Sequence, residues 1–421
     1  MPADSKVLVV GTTPDYIDWI RRSCPGRVVF LTDPRARRQA QEPCPTPAEE
    51  LLCDLSDYDR ARSMLRQHLG QYGFRLEGVA CYDCESMELA AQLAQLYDLP
   101  YPSVQAVNNC RNKFLSKTLW QNRQLHTPAA QIIRSESDAA LFFRASGGAC
   151  VLKPLHGSGS ELVYRCDSIP ECKQTYREIR NRLKLCGDNR LFRSLSVPEP
   201  DILAEEFIAG SEYSCDFVID NERVEIIRIT RKVTSAHGPF GTALGYVLPG
   251  ILPAGIDEHE LCQTLYRGAA ALGLRRAICM LDFMIDDGRI VLLEMAPRPG
   301  GDCLPFLLRH CYRLDVLKLL VDFSARRPIR SNRMPELRPA VGLRLHASRA
   351  GILKKIDSHQ LQRDARVSEI HLTRQPGHLI KMPPEDYDSW LLGHIIFEPD
   401  VDSPVQAQCL ALIDKLIVEV E

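Results

Sequence analysis

Several features that would place a protein in a specialised class are missing from this sequence. No apolar run of transmembrane length occurs in its 421 residues, and the start MPADSKVLVVG enters a strand pattern without a signal-peptide layout. The formal net charge is only −2, so nothing indicates a nucleic-acid or anionic-membrane partner. No repeat or low-complexity tract is present. These absences argue against a membrane protein or a solenoid and predict a cytoplasmic globular protein.

Two glycine motifs that cradle phosphates are also missing. The first predicted strand, KVLVVG, ends in the lone Gly11, so no G-x-G-x-x-G fingerprint follows it. No G-K-[S/T] sequence opens a helix, which excludes a P-loop. The alternation of strand and helix patterns over roughly the first hundred residues nevertheless predicts a Rossmann-like parallel α/β domain.

Cysteine is abundant, with sixteen residues, but its spacing is irregular. Most cysteines fall inside apolar strand or helix patterns, which favours reduced thiols in a cytosolic protein. Cys81 and Cys84 form a C-x-x-C, for which a redox or zinc role is the alternative interpretation. No second pair stands at ligand spacing, so small buried thiols are favoured here.

The stretch MLDFMIDDGRIVLLEMAPRPGG, residues 280–301, carries the clearest chemistry. Two apolar strands flank an Asp-Asp-Gly turn and deliver Asp282 and Glu294, and the Pro- and Gly-rich loop that follows contains Arg298. Paired carboxylates repel unless a cation neutralises them, and hard oxygen ligands suit Mg²⁺. An ordinary hairpin is the alternative interpretation of this stretch taken alone.

Lysines and a small-residue loop precede this hairpin. A helix predicted over about 104–122 carries Lys113 and Lys117 one turn apart, and the strand CVLKP carries Lys153 near its end. The loop HGSGS, residues 156–160, follows directly and leads to a strand predicted over 161–164. Such a loop lets backbone N–H groups approach phosphate oxygens closely, although a simple hairpin turn has the same composition.

A further strand pair is predicted in ILAEEFIAGSEYSCDFVI, residues 202–219. The first strand ends in Glu205 and Glu206, Phe207 and Ile208 follow, and Glu212 stands seven residues after Glu205. An apolar wall with an acid suits an adenine base, and a second acid suits ribose hydroxyls. The segment 233–249 is rich in Gly and Pro and is predicted to be a loop lining a site.

Taken in order, these elements resemble the ATP-grasp superfamily of carboxylate–amine ligases. The GGDCLPFLLRHCYRLDVLKLLVD tail is similar to the L-amino-acid ligase and carnosine-synthase-like branch. The resemblance implies an α/β and α+β multidomain ATP-grasp fold. We expect an N-terminal domain at 1–103, an ATP-grasp core at 104–330 and a small α+β subdomain at 331–421. Within the core, the central lobe is expected at about 125–203 and the C-terminal lobe at about 204–330.

The resemblance also implies roles for individual residues. ATP and one or two Mg²⁺ ions are the implied cofactors, with Mn²⁺ as an alternative, and Asp282 and Glu294 are the implied metal ligands. Arg298 and Lys153 are the implied catalytic residues. The implied nucleotide-binding residues are Lys113, Lys153, His156, Gly157, Ser158, Gly159, Ser160, Glu205, Glu206, Phe207, Ile208 and Glu212.

The expected reaction is activation of a carboxylate as an acyl phosphate, followed by attack of an amine from an amino acid. His156 and His237 are candidate bases by location only. Many relatives carry Asn where this chain has Ala296, which removes one oxygen ligand, and Ala243 departs from the acid of dipeptide-ligase relatives. One alternative is an ATP-grasp carboxylase, which the E-x-A-P-R-P sequence also resembles, or an ATP-grasp ligase that uses another nucleophile. The other is a non-catalytic ATP-binding regulatory protein. Small-molecule substrates are expected, and both monomer and homodimer stay open.

Overall fold

The N-terminal part of the chain forms a parallel four-stranded sheet. The computed structural model describes residues 4–38, 40–186, 189–192, 201–235, 238–329 and 339–421. The strand order is β3-β2-β1-β4, and all neighbours run parallel, as the alternating pattern predicts. The elements are β1 (Asp4–Val10), α1 (Pro14–Ser23), β2 (Val28–Thr32), α2 (Pro34–Arg38), β3 (Glu50–Leu52), α3 (Tyr58–Tyr72), β4 (Phe74–Ala80) and α4 (Met87–Leu96).

The central lobe is a small antiparallel sheet with two helices, preceded by a broken helix. The helix expected over 104–122 is interrupted at Asn112, whose side chain accepts a hydrogen bond from Leu115 N and caps a second helix. The sheet order is β5-β8-β6-β7. The elements are α5 (Val104–Arg111), α6 (Lys113–Gln121), β5 (Ala130–Ile133), α7 (Glu136–Ala145), β6 (Cys150–Pro154), β7 (Tyr164–Cys166), α8 (Ile169–Leu185), a 3₁₀ turn (Arg190–Phe192) and β8 (Ile202–Glu206).

A larger antiparallel sheet faces this lobe and continues into the C-terminal segment. Its order is β13-β12-β9-β10-β11-β14-β18-β16, so three strands after residue 339 extend the sheet of the core. Core elements are β9 (Ser211–Asp220), β10 (Arg223–Thr234), β11 (Ala243–Leu248), α9 (Glu258–Ala271), β12 (Arg276–Asp286), β13 (Arg289–Ala296), α10 (Leu304–Tyr312) and α11 (Val316–Ser324). C-terminal elements are β14 (Ala340–His346), β15 (Gly351–Asp357), α12 (His359–Gln362), β16 (Val367–Leu372), β17 (Leu379–Ile380), β18 (Leu391–Phe397), α13 (Val405–Ile413) and β19 (Ile417–Val420).

Two expectations about local structure are corrected. The strand predicted over 161–164 begins only at Tyr164, because Ser160 and Leu162 both adopt positive φ and turn the chain. The loop predicted over 233–249 contains β11, which pairs with both β10 and β14. The domain boundaries stay predictions, although β8 in the central sheet crosses the expected lobe boundary at 203–204. Within the described part of the chain, none of the helices combines the length and apolar character needed to span a bilayer.

A fully buried ion pair anchors the loop that carries Arg298. Arg228 on β10 and Asp216 on β9 lie opposite each other, with two N···O contacts of 2.8 and 2.9 Å and no exposure of either side chain. The amide of Gly300 donates to the same carboxylate at 3.0 Å. A Cβ on Gly300 would lie 2.4 Å from the guanidinium, so only glycine fits this approach.

We predict that Arg228→Met strongly destabilises the protein, because it leaves the Asp216 carboxylate buried without its cation. The expected loss of unfolding free energy is about 3–5 kcal/mol, measured by urea denaturation. Arg223→Met is the matched control, since Arg223 lies on the same strand in an exposed pair with Glu225. Its expected effect is below about 0.5 kcal/mol. Equal shifts in the two variants would contradict the structural role of the buried pair.

Candidate active site

One cleft between the central sheet and the large sheet collects the residues singled out in the sequence. Its volume is about 780 Å³. The predicted site residues all line it, namely Lys113, Lys153, His156, Gly157, Ser158, Gly159, Ser160, Glu205, Glu206, Phe207, Ile208, Glu212, Asp282, Glu294 and Arg298. Residues spread over nearly two hundred positions therefore meet in one space, while their individual roles stay predictions.

Glu205 on β8 forms the most buried charge cluster of the cleft. Its two carboxylate oxygens lie 2.8 Å from the ammonium groups of Lys117 and Lys153, one on each oxygen. Burial raises the pKa of the Glu205 carboxyl, but the two lysines outweigh it and hold the pKa below its ordinary value. Burial also lowers the pKa of the Lys117 ammonium to about 8. The pairing lets two strands of the central sheet and the helix α6 carry charged side chains into a buried space.

Glu294 on β13 lies beside two lysines that come from the opposite side of the cleft. Its carboxylate is 3.4 Å from Lys153 Nζ and 3.7 Å from Lys113 Nζ. Partial burial raises its pKa, but these lysines outweigh it and lower the pKa to about 2. Lys113 also donates to the carbonyl of Gly157 at 2.9 Å, which ties the start of the small-residue loop to the charge cluster.

Asp282 on β12 and Glu212 on β9 share a lysine that the sequence did not reveal. Lys232 on β10 lies 2.6 Å from Glu212 and 3.0 Å from Asp282. Burial lowers the pKa of Lys232, but the two carboxylates outweigh it and raise the pKa well above its ordinary value. The cleft thus holds four lysines, Lys113, Lys117, Lys153 and Lys232, each within ion-pair distance of a carboxylate.

The two predicted metal ligands are placed as neighbours. Asp282 and Glu294 are directly opposite on paired strands, so their side chains share one face of the sheet. Asp282 Oδ1 is buried and has no hydrogen-bond partner among the described residues. An orphaned carboxylate oxygen beside a second carboxylate fits a hard divalent cation such as Mg²⁺. Ala296 lies opposite Met280 and offers no ligand.

The small-residue loop covers one end of the cleft. Gly157, Gly159, Ser160 and Leu162 all adopt positive φ, so the chain folds over without forming a strand. Ser160 Oγ donates to the carbonyl of Gly241 at 2.8 Å, which joins the loop to the segment before β11. A loop held by so few contacts can move without disturbing the sheets on either side.

Arg298 lies at the junction of the cleft with a second, larger cavity of about 1640 Å³. Its guanidinium donates through Nε and Nη2 to Cys84 Sγ, at 3.1 and 3.0 Å. Burial lowers the pKa of Arg298, but Cys84 outweighs it, and the pKa is raised above its ordinary value. The residues lining both cavities are Ser158, Arg298, Gly301, Asp302 and Leu391.

Three features of the site were missed by reasoning from the sequence. Lys117 stands one turn after Lys113, a usable signal, but surface lysines on helices are common. Lys232 becomes recognisable only when β9, β10 and β12 pair. The contact between Cys84 and Arg298 joins residues 214 positions apart, which no local pattern can indicate.

Known proteins share both part of this sequence and its fold. The family described as "ATP-grasp domain" matches residues 147–305, the segment from β6 to the start of α10. The whole chain superposes on an L-amino acid ligase from Bacillus licheniformis with a TM-score of 0.78 at 19% identity, covering 100% of both chains. Residues 147–305 therefore match an ATP-grasp domain, the chain has the fold of that ligase, and the predicted fold class is confirmed.

Two curated relatives refine this class. A D-alanine–D-alanine ligase of Acidovorax ebreus (strain TPSY) is 24% identical over 259 residues, covering 59% of this chain and 72% of that protein. Carnosine synthase 1 of Homo sapiens is 22% identical over 270 residues, covering 62% of this chain and 32% of that protein. These similarities confirm the predicted resemblance to ATP-grasp carboxylate–amine ligases.

We predict that the buried imidazole of His156 stays uncharged near neutral pH and is a weak proton acceptor. Burial lowers the pKa of its imidazole to about 3, with Arg111 and Lys113 adding to the effect. The ¹H NMR signal of the His156 ring can be assigned by its absence in His156→Asn. Its chemical shift should therefore stay constant between about pH 5 and pH 8. The same signal in urea should titrate near the ordinary value of about 6.5. A midpoint between pH 5.5 and pH 7.5 in the folded protein would contradict this. The other candidate, His237, lies outside the described residues.

Proposed function

We propose that this protein is an ATP-dependent ligase that joins a carboxylate to the amine of an amino acid. ATP first phosphorylates the carboxylate, and the amine then displaces phosphate to form an amide, with ADP as the second product. The observation that carries the proposal is the position of Arg298 where a lysine- and carboxylate-lined cleft opens into a second cavity. That junction is where a transferred phosphoryl group and a second substrate could meet.

The cleft offers a separate surface for each part of ATP. Glu205 with the backbone of Ile208 would receive the adenine, and Glu212 the ribose. Lys113 and Lys153 would move from Glu294 to the phosphates, since both ion pairs are longer than 3.3 Å. Asp282 and Glu294 would hold Mg²⁺, which supplies positive charge to the phosphates when it is bound.

The loop at residues 156–160 would exclude water in the loaded state. An acyl phosphate hydrolyses readily, so the enzyme must close over it before the amine arrives. The backbone amides of this loop are free of bulky side chains and could approach phosphate oxygens. Lys113, which already contacts Gly157, would link phosphate binding to the position of the loop.

The second cavity would hold the two substrates. Its walls come from three parts of the chain, because Tyr16 follows β1, Asp83 follows β4 and His394 lies on β18. Most of the lining lies outside the ATP-grasp match at 147–305, so substrate selection would depend mainly on those segments. On this proposal, the nucleotide cleft would be common to ATP-grasp proteins, whereas the choice of substrates would be particular to this chain.

We predict a condensation product when pairs of amino acids are supplied with ATP and Mg²⁺, detected by mass spectrometry together with ADP. Asp282→Asn and Glu294→Gln should abolish product, because both would remove metal-holding charge. Asp287→Asn is the control, since Asp287 is 88% exposed at the turn of the same hairpin. ADP release that depends on bicarbonate and gives no amide product would show that the protein is a carboxylase rather than a carboxylate–amine ligase. ATP binding with no turnover under any condition would favour a regulatory protein.

Arg298→Ala is predicted to lower kcat by at least about 100-fold while leaving ATP affinity nearly unchanged, because the lost contact is made mainly with the transferred group. Steady-state kinetics and equilibrium ATP binding test the two halves separately. Arg289→Ala on the same hairpin, with a side chain 57% exposed, should change neither. A loss confined to ATP affinity would rule out a role for Arg298 in the transition state.

A further inference from the structure

Three cysteines form a compact thiol cluster inside the central lobe, away from the cleft. The sulfur atoms of Cys150, Cys166 and Cys172 all lie within 4.8 Å of one another. The Sγ atoms of Cys150 and Cys172 are 3.5 Å apart. Each residue is completely buried. Among the described residues, this is the one grouping of three or more His, Cys, Asp or Glu side chains with metal-binding geometry.

The local fold brings the three thiols together from separate elements. Cys150 on β6 and Cys166 on β7 are directly opposite in an antiparallel pair, so their side chains share a face. Cys172 lies in the first turns of α8, where its amide donates to the carbonyl of the cap residue Ser168. The sulfur of Cys172 therefore meets the sheet face from the positive end of a helix.

The spacing of the sulfur atoms matches the requirements of a metal ion. Three sulfurs around an ion at about 2.3 Å would be about 4.0 Å apart in a trigonal arrangement, within the separations seen here. Thiolate sulfur is a soft ligand that selects zinc or copper(I) rather than magnesium. We propose that Cys150, Cys166 and Cys172 bind one soft d¹⁰ metal ion, zinc or copper(I), in the core of the central lobe.

The three thiols differ in how readily they ionise: hydrogen bonding to Cys166, together with burial, raises the pKa of Cys150, and burial raises the pKa of Cys172 to about 12. Hydrogen bonding from Cys150 lowers the pKa of the Cys166 thiol, and Thr175 adds a hydrogen bond of the same effect. On binding, each thiol gives up its proton to solvent as its sulfur–metal bond forms, so no oxidant is needed. Zinc would leave one net negative charge and copper(I) two, and the apolar surroundings therefore favour zinc.

A metal ion bound to the three cysteines would link parts of the central lobe that lie close to the cleft. Cys150 stands three residues before Lys153, and Cys166 lies on the strand that leaves the small-residue loop. An ion here would fasten α8 to the β-hairpin that carries both Lys153 and the loop. This inference concerns the core of the lobe and stands independently of the proposed ligase activity.

The test is metal uptake by the full-length protein. The protein is reduced, stripped with a chelator, loaded with Zn²⁺ or with Cu⁺ held by a competing chelator, and gel-filtered before elemental analysis. We expect about one ion per chain, with sulfur neighbours at about 2.3 Å in the X-ray absorption spectrum. Cys150→Ser, Cys166→Ser and Cys172→Ser should each lower retention at least about tenfold. Cys110→Ser and Cys279→Ser, at buried cysteines outside the cluster, should retain the ion.

Circular dichroism of each variant controls for misfolding. If a cluster variant does not fold, the X-ray absorption spectrum of the unsubstituted protein tests the site instead, because it gives the number of sulfur atoms bound to the metal. Three sulfur neighbours support the site for either metal, and the two loading arms show which ion is held. Failure of the unsubstituted protein to retain either ion would overturn the proposal. So would equal retention in the cluster variants and the controls, or isolation of the protein with a Cys150–Cys172 disulfide and no metal.

Discussion

Charge balance in the nucleotide cleft is the constraint on which the rest of the site depends. Glu205 lies between Lys117 and Lys153, and Lys232 lies between Glu212 and Asp282, so acids and bases alternate across the cleft. Burying any of these charges alone would cost several kcal/mol. The alternation therefore permits a strongly charged cleft within a stable fold. It also leaves the longer pairs to Glu294 available for exchange when an anionic ligand enters.

A second buried ion pair, Arg228 with Asp216, supports the loop that carries Arg298. Asp216 accepts a hydrogen bond from the amide of Gly300, two residues beyond Arg298. Neighbouring strands provide the pair, a backbone amide completes it, and a glycine permits the close approach. The arginine at the junction of the two cavities thus rests on a rigid support, while the small-residue loop opposite it rests on few contacts.

Much of the nucleotide cleft could be predicted from the sequence because its residues sit at the ends of short, strongly patterned strands. The turn at Asp287–Gly288 sets a register that runs back to Phe283 opposite Leu292, and an irregularity between Asp282 and Phe283 then shifts the pairing so that Asp282 lies opposite Glu294. The hairpin could be predicted from local sequence, whereas the pairing of its two carboxylates depends on this shift. Lys153 and Glu205 follow in the same way from apolar strands that end in charged residues. Lys232 was not predicted because its partners come from two other strands. The strand β11 was not predicted because the segment around it, residues 233–249, is rich in glycine and proline.

By itself, the sequence determined the class of fold, the order of most elements and a set of residues that line one cleft, since hydrophobic period and turn chemistry act over a few residues. Only the tertiary structure decided which charges neutralise one another, that Arg298 contacts Cys84, that a second cavity opens beside it, and that three thiols cluster inside the central lobe. It also decided that the C-terminal strands continue the core sheet. These features join residues far apart in the chain, and distance in space between such residues is set by packing rather than by any local pattern.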